Sequence, residues 1–292
     1  MAPRVSCLEQ AVSTNQGILY IVATPIGNLA DMSQRAIDIL SEVDLIAAED
    51  TRHSRHLMQH FNIKTHMWAY HDHNEELQTP VLIEKLQAGE KIALISDAGT
   101  PLLSDPGYRL VKAAHQAGIK VSPVPGACAA IAALSASGLP TDQFHFCGFP
   151  PAKSTARVRF FEQFASETVS TLYYESSHRI KASLSDMVNV FGEQRSAVLA
   201  REISKTFETI RQASLLELSE WVAGDENQRK GEFVVIVQGQ ASRQSEDAVS
   251  LEHILKVLLE ELPVKQASKL AASITGAKKN SVYKLALDLQ SR

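Results

Sequence analysis

The 292-residue chain has little cysteine, no long apolar run and only a small excess of negative charge, and each shortage removes a class of protein. Its three cysteines, Cys7, Cys128 and Cys147, are odd in number and far apart. Neither a disulfide framework nor a zinc knuckle is expected from them, and a reducing compartment fits. No stretch approaches the roughly 20 apolar residues of a membrane span. Residues 1–16 are mixed and polar, without the apolar centre of a signal peptide, so a cytoplasmic location is expected. A formal charge of −4 argues against a protein that coats nucleic acid through its overall field, although a local basic patch can still bind it. Several motifs are also missing: no Walker P-loop, no G-x-G-x-x-G after a strand, no G-x-S-x-G and no H-E-x-x-H. An ordinary NAD or ATP enzyme is therefore disfavoured, as is a Rossmann-type methyltransferase with a glycine-rich first loop.

What is present is an ordinary globular balance, 45% hydrophobic and 21% charged residues, at a length that suits about two domains. Gly17 to Pro25, Asp44 to Asp50, Thr65 to Ala69, Lys91 to Ser96 and Ile119 to Val124 read as strands, with helical patterns between them. Further strands are expected at Phe144 to Pro151, from Thr171, over Ala197 to Ala200 and at Gly231 to Gly239. Near-continuous apolar strands alternating with helices predict an α/β fold whose sheet is mostly parallel and covered on both faces. The expected division is a flexible segment 1–16, an α/β domain 17–124, a second α/β domain 125–240, and a linker with a small helical domain, 241–292. In that last part, helical patterns over 251–262, 264–274 and 278–289, with Gly276 between the second and third, resemble a helix-turn-helix unit.

The most informative stretch is KIALISDAGTPLLSDPGYRLV, Lys91 to Val111. A buried strand ends there in a small-residue loop, and ligands of α/β proteins sit outside the carboxyl ends of strands, which places Asp97 where polar groups would be met. Ala98 and Gly99 allow the backbone to approach closely. Asp105 or Ser104 is expected to cap the following helix, with Pro106 at its first position. Thr24-Pro25, Glu49-Asp50 and Ser96-Asp97 end their strands on what must be one edge of a parallel sheet; helix capping is the plain alternative, strongest for Asp50. Glu175, His178 and Arg179 follow one strand, and Arg201, Glu202 and Lys205 follow the next. Either set can supply a general base or bind phosphate or ribose, and either can be only an ion-pair network. His53, His56 and His60 share a helix face with Arg52 and Arg55; a cationic, solvated face is favoured there over a metal site, and no metal is expected.

Six blocks in one order carry a resemblance: LYIVATPIGNLADMSQRA, AAEDTR, SDAGTPLLSDPG, VPGACAA, YYESSHR and AREISKTFE, within Gly17 to Gly239. Together they resemble the tetrapyrrole methylase superfamily, and within it the branch that methylates ribosomal RNA, whose small C-terminal extension the chain also resembles. The resemblance implies two α/β domains with S-adenosylmethionine folded into the cleft between them, in a homodimer. It implies methylation of the ribose 2′-hydroxyl of cytidine 1402 in the decoding centre of 16S rRNA, with the small ribosomal subunit as substrate. Matching positions assign the cofactor to Pro25, Ser96, Asp97, Ala98, Gly99, Thr100, Ala127, Cys128, Ala129, Tyr174, Glu232 and Phe233. Glu49, Asp50, His178, Glu202 and Lys205 are the candidates for the proton acceptor or its cationic partner, with the choice open. For RNA, the local field is assigned to Arg52, Arg55, Lys153, Arg157, Lys265, Lys269, Lys278, Lys279 and Lys284, with Arg159 beside them; a solvated helical face is the plain reading of the C-terminal lysines. A tetrapyrrole C-methyltransferase, or a helix-turn-helix regulator with the α/β body as sensor, are the other classes.

Overall fold

In the computed structural model, which describes residues 17–240 and 251–290, the apolar runs of the first half become a sheet buried on both sides. The order along the chain is β1 (Ile18–Val22), α1 (Gln34–Glu42), β2 (Leu45–Ala48), α2 (Thr51–His60), β3 (Met67–Ala69), α3 (Glu75–Gln87), β4 (Lys91–Ile95), α4 (Tyr108–Gln116) and β5 (Lys120–Val124). The strands lie in the order β3-β2-β4-β1-β5, and every neighbouring pair is parallel. Alternate residues of one strand feed opposite cores. Ile46, Ala48, Ala93 and Ile95 pack with Ala36, Leu40 and Met58 from α1 and α2. Leu45, Ala47, Ile92 and Leu94 pack with Leu82, Leu86, Leu110 and Ala114 from α3 and α4. Each fully buried leucine or isoleucine contributes roughly 1.5–3 kcal/mol, which explains why these strands carry no polar face. Ser33 caps α1, its side chain accepting from the Ala36 N–H.

The second half runs α5 (Ala129–Ser135), β6 (Phe144–Phe146), α6 (Ser154–Glu162), β7 (Ser170–Ser176), α7 (Ile180–Phe191), β8 (Ser196–Arg201), β9 (Thr209–Ser214), α8 (Leu215–Gly224) and β10 (Glu232–Val237). Its sheet, ordered β6-β7-β10-β8-β9, corrects the expectation of a mostly parallel arrangement: only β6 and β7 run parallel, and the other three pairings are antiparallel. Strand β9, TIRQAS, is absent from the sequence reading because it is a polar edge strand with three exposed residues in a row. One face of this sheet packs Tyr173, Leu199 and Val235 against α6, α7 and α8, and the other packs Leu172, Val198 and Ile236 against α5.

Both sheets belong to one compact unit that ends at Gly239. A separate unit holds α9 (Leu251–Glu261), α10 (Val264–Thr275) and α11 (Lys279–Gln290) around Leu255, Ala271, Ala272, Val282 and Ala286. Small alanines at these positions let the three short helices approach closely, and Lys265, Lys269, Lys278, Lys279 and Lys284 are all exposed. The segment 1–16, with Cys7, and the expected linker, 241–250, lie outside the described residues.

One assignment to RNA is overturned. Arg157 is only 3% exposed, its guanidinium 2.7 Å from Asp186 on α7 and donating to the Ala152 carbonyl at 3.0 Å. It ties α6 to α7 and has no free face for a phosphate. Breaking a buried pair by removing one partner costs about 3–5 kcal/mol. Arg157→Ala is therefore expected to lose about that much stability in denaturant unfolding, and a loss under about 1 kcal/mol contradicts the role assigned to the pair.

Candidate active site

The loops after β1, β4 and β5 are laced together at one edge of the first sheet. Thr24 and Gly99 exchange both backbone hydrogen bonds, at 2.8 and 3.0 Å, and the Thr100 hydroxyl donates to the Ala127 carbonyl at 3.0 Å. The backbone groups of Gly99, expected to be open to a ligand, are thus occupied by Thr24, and Asp97, Ala98 and Thr100 are left to face outward. Beyond this edge lies a cleft of about 380 Å³, closed on its far side by the second sheet.

The first wall is acidic. Glu49, Asp97 and Asp105 all line it. The Asp97 N–H donates to Glu49 Oε2 at 3.2 Å, and the Asp50 N–H donates to Asp97 Oδ1 at 3.1 Å. Burial, then repulsion from Asp97 and Asp72, outweighs the Asp97 N–H and His53 and raises the Glu49 carboxyl. Asp105 is pushed up to about 6, first by burial and then by Glu49, Asp97 and Asp72, against a hydrogen bond with Ser96. The expected capping role of Asp105 or Ser104 does not hold. Helix α4 begins at Tyr108, with Gly107 at its N-cap and no side-chain cap bond. Leu102 and Ser104, at φ 73° and 70°, carry the loop through left-handed conformations first, and Asp105 lines the cleft instead. Such residues cost on the order of 1–3 kcal/mol each and concentrate at functional sites.

The facing wall is built from the ends of β7 and β8 and the start of β10. The Tyr174 ring packs edge-on against Phe146 and beside Phe149, at 4.9 and 5.4 Å, and its hydroxyl accepts from the Ala130 N–H at 3.2 Å. Burial pushes the phenol up to about 12. The Lys205 ammonium sits between Glu202 (2.8 Å) and Glu232 (2.6 Å). Burial alone would lower the Lys205 pKa, but its two carboxylate hydrogen bonds outweigh that and raise it; burial likewise opposes, and Lys205 and the Glu232 N–H reverse, the shift of Glu202, which ends lowered. Glu202 and Ser204 themselves have positive φ, 51° and 67°, in the turn that joins β8 to β9. Two glycines make room for this group. A Cβ on Gly231, at φ +97°, would lie 2.4 Å from the Glu202 carboxyl carbon, and one on Gly27, at φ +128°, would lie 2.4 Å from Lys205 Cε. The Ser204 hydroxyl also donates to Asp31, so the first loop and the β8–β9 turn hold one another.

Of the residues expected here, Asp97, Ala98, Gly99, Thr100, Ala129, Tyr174, Glu232 and Phe233 line the cleft, as do Glu49, Glu202 and Lys205. Others do not. Pro25 and Ser96 are buried behind the loops, and Ala127 and Cys128 lie outside the lining. Asp50 is the N-cap of α2, accepting from the Arg52 N–H and pairing with its guanidinium at 2.8 Å; these bonds hold its carboxyl well below the usual range. His178 is exposed on the turn before α7 and does not line the cleft. Glu175 touches the cleft but is spent on Arg179 at 2.8 Å, the Ser176 N–H and the Ser183 hydroxyl, the ion-pair alternative. Arg201 donates to the carbonyls of Lys230 and Phe207. Asp105, Ile26, Leu103, Phe149 and Ile203 are lining residues that the sequence reading did not assign to the site; for Asp105 a signal existed, since Ser104-Asp105-Pro106-Gly107 repeats the pattern of Ser96-Asp97-Ala98-Gly99. Outside the cleft, Arg52, His53, Arg55, His56 and His60 are exposed on α2, and Lys153 is exposed at the start of α6.

The Gly27–Lys205 contact can be tested by itself. Gly27→Ala is expected to destabilise the protein by about 1–3 kcal/mol, and adding Lys205→Ala should recover part of that loss because the clashing side chain is gone. Strictly additive losses contradict the contact.

Comparison with known proteins agrees with this architecture. The profile of the tetrapyrrole (corrin/porphyrin) methylases matches residues 18–219, and that of the RsmI C-terminal HTH domain matches residues 245–290. A protein of Escherichia coli O157:H7 named ribosomal RNA small subunit methyltransferase I is 53% identical over 97% of this chain and 99% of its own length. Its namesake from Pseudomonas aeruginosa is 54% identical over 94% and 99%. Among solved structures, a diphthine synthase superposes with a TM-score of 0.57 at 14% identity, over 76% of this chain and 89% of that one. A Thermus thermophilus uroporphyrin-III C-methyltransferase complexed with S-adenosylhomocysteine gives 0.51 at 17%, over 78% and 99%; at these identities the likeness concerns the fold. The chain belongs to the tetrapyrrole methylase family, among the ribosomal RNA small subunit methyltransferases I.

Proposed function

We propose that the protein transfers a methyl group from S-adenosylmethionine to the ribose 2′-hydroxyl of a cytidine in the decoding centre of 16S rRNA, acting on the small ribosomal subunit. The observation that carries this reading is near-full-length similarity, through both the α/β body and the C-terminal helices, to relatives named ribosomal RNA small subunit methyltransferase I. The cleft fits the cofactor chemically. Its volume, about 380 Å³, is in the range of small-molecule sites. Ile26, Leu103, Ala129, Phe149 and Phe233 offer apolar surface to a purine, and Glu49, Asp97 and Asp105 suit a ligand with cationic centres.

When bound, the cofactor supplies a methyl group on a sulfonium, which is already a good leaving group. The residues around it must then hold the ribose hydroxyl in line and manage its proton; positioning of this kind is worth roughly 7–11 kcal/mol in favourable cases. Among the three lining candidates the protonation states differ. Lys205 is held as a cation by its two carboxylates, and Glu202, lowered, is a weak base. Glu49, raised, is the best base of these three, and Asp105 beside it on the same wall is raised as well. Lys205 is assigned instead to favouring the developing negative charge on the hydroxyl oxygen.

RNA contact is assigned to the exposed face of α2 and to Lys153, with a second basic surface on the C-terminal unit. Helix α2 starts two residues after Glu49, so Arg52 and Arg55 lie close in sequence to the cleft wall, and no Asp or Glu falls between Lys265 and Lys284. Neutralising phosphates with such groups gives salt-dependent binding without overall positive charge. A homodimer belongs to the same reading; Leu77 on α3 and Tyr108 on α4, 75% and 67% exposed, are apolar surface available for it. The cytoplasm, where the subunit is made, is the assigned location, and among the described residues no helix is long and apolar enough to cross a membrane.

Labelled methyl from S-adenosylmethionine is expected to enter small subunits that lack the modification and to be recovered as 2′-O-methylcytidine. Label in a tetrapyrrole, or in neither acceptor, contradicts the proposal. Removing residues 241–292 should lower turnover on subunits by about tenfold or more while leaving cofactor affinity unchanged, as expected for loss of phosphate contacts; equal activity removes the C-terminal unit from substrate binding.

A further inference from the structure

The first wall of the cleft carries three carboxylates, Glu49, Asp97 and Asp105, and no lysine, arginine or histidine among its lining residues. None of the three has an ion-pair partner among the described residues. The lysine that lines the cleft, Lys205 on the facing wall, is already shared by Glu202 and Glu232. Glu49 and Asp97 are fixed by backbone N–H groups, whereas Asp105 is supported as an anion only by Ser96. It stands on a loop that passes through two left-handed residues to bring it there. The charged groups that act on Asp105 all have the same sign: Glu49 from the end of β2, Asp97 from the loop after β4, and Asp72 from the segment before α3. Tyr174 meets it from β7 as a neutral phenol, and the imidazole of His53 acts on Glu49.

Such a wall is incomplete without a cation. If the cleft holds S-adenosylmethionine, as proposed above, the ligand before reaction carries a sulfonium charge and the product carries a neutral sulfide; nothing else about its shape differs except the methyl group. We infer that the acidic wall reads this charge: Asp105, flanked by Glu49 and Asp97, is held as the carboxylate while the sulfonium form is bound and takes up the ribose hydroxyl proton when that charge is lost. The step balances. The O–H bond breaks and its electron pair forms the new O–CH₃ bond; the methyl–sulfur bond breaks with its pair left on sulfur; the proton ends on the Asp105 carboxylate and passes to water as the product leaves. Charge in the cleft is unchanged throughout, because one positive charge on the ligand is exchanged for one proton on the wall. The same exchange weakens the hold on the spent product, since a protonated wall has nothing to gain from a neutral sulfide.

With Asp105 near 6 in the free protein, binding a neighbouring cation must expel a proton below that pH, so affinity falls as the solution becomes more acid. The test is calorimetric titration of the full chain with S-adenosylmethionine and, separately, with S-adenosylhomocysteine, at pH 5 and 7. Affinity for the sulfonium form is expected to drop about tenfold from pH 7 to pH 5, while affinity for the sulfide form changes by less than about twofold. Asp105→Asn should flatten the first profile and Asp105→Glu should restore it. Equal pH dependence for the two ligands in the wild-type protein overturns the inference without needing any variant, as does a tenfold drop that survives in a folded Asp105→Asn protein. If S-adenosylmethionine binds with no pH dependence, the cofactor reading stands and only the role of the wall falls. If neither ligand binds, the cofactor reading itself falls, and the inference with it.

Discussion

In the first sheet every neighbouring pair of strands is parallel, so β1, β2, β4 and β5 end on the same edge and the segments that follow them share one space. The paired Thr24 and Gly99 backbones and the Thr100–Ala127 bond turn those segments into a single surface. The second sheet reaches the same cleft by different means. Because β10 runs antiparallel to both β7 and β8, its first residues, Glu232 to Val234, lie beside the last residues of β7 and β8, and two strand ends and one strand start form the opposite wall. The second wall is fixed largely by strand register, the most rigid means a fold has of placing side chains, whereas the first is carried by the loop between β4 and α4, held in place by those backbone bonds.

The two walls differ in how their charge is managed. On the second sheet, Glu202 and Glu232 share the Lys205 ammonium, and glycines at 27 and 231 leave room for the Glu202 and Lys205 side chains. On the first, carboxylates are brought together without a cation, and burial, then their mutual repulsion, raises Glu49 and Asp105 and makes the wall responsive to what binds there. A methyl donor with a positive charge and an acceptor that must lose a proton place complementary demands on such a pair of walls.

Much of the first sheet could be read from the sequence, because a strand buried on both faces is an apolar run and DLIAAED or KIALIS admits few other structures. Strand direction in the second half could not be read. YYES, AVLA and EFVVIV are equally apolar in either sense, and β9 hides its pairing in an exposed, polar edge. At the site, the blocks that carry the family resemblance also line the cleft, with exceptions that have physical causes. Asp50 follows the capping rule for its position, His178 lies on an exposed turn, and Asp105 was read as a cap because Leu102 and Ser104 have side chains that ordinarily avoid the left-handed region. Arg157 looked like its basic neighbours, yet Phe161 four residues on marks the buried face of α6 on which it lies.

The central claim is that the two sheets bind the cofactor between them, and it makes both walls respond together. Backbone hydrogen exchange on the full chain, with and without S-adenosylmethionine, tests this most directly. Slowed exchange is expected jointly at residues 97–105 of the first wall and at 174–176 and 202–205 of the second, with the C-terminal helices unaffected. Protection confined to one wall, or found elsewhere while these segments stay unchanged, would contradict a cofactor held between the two sheets.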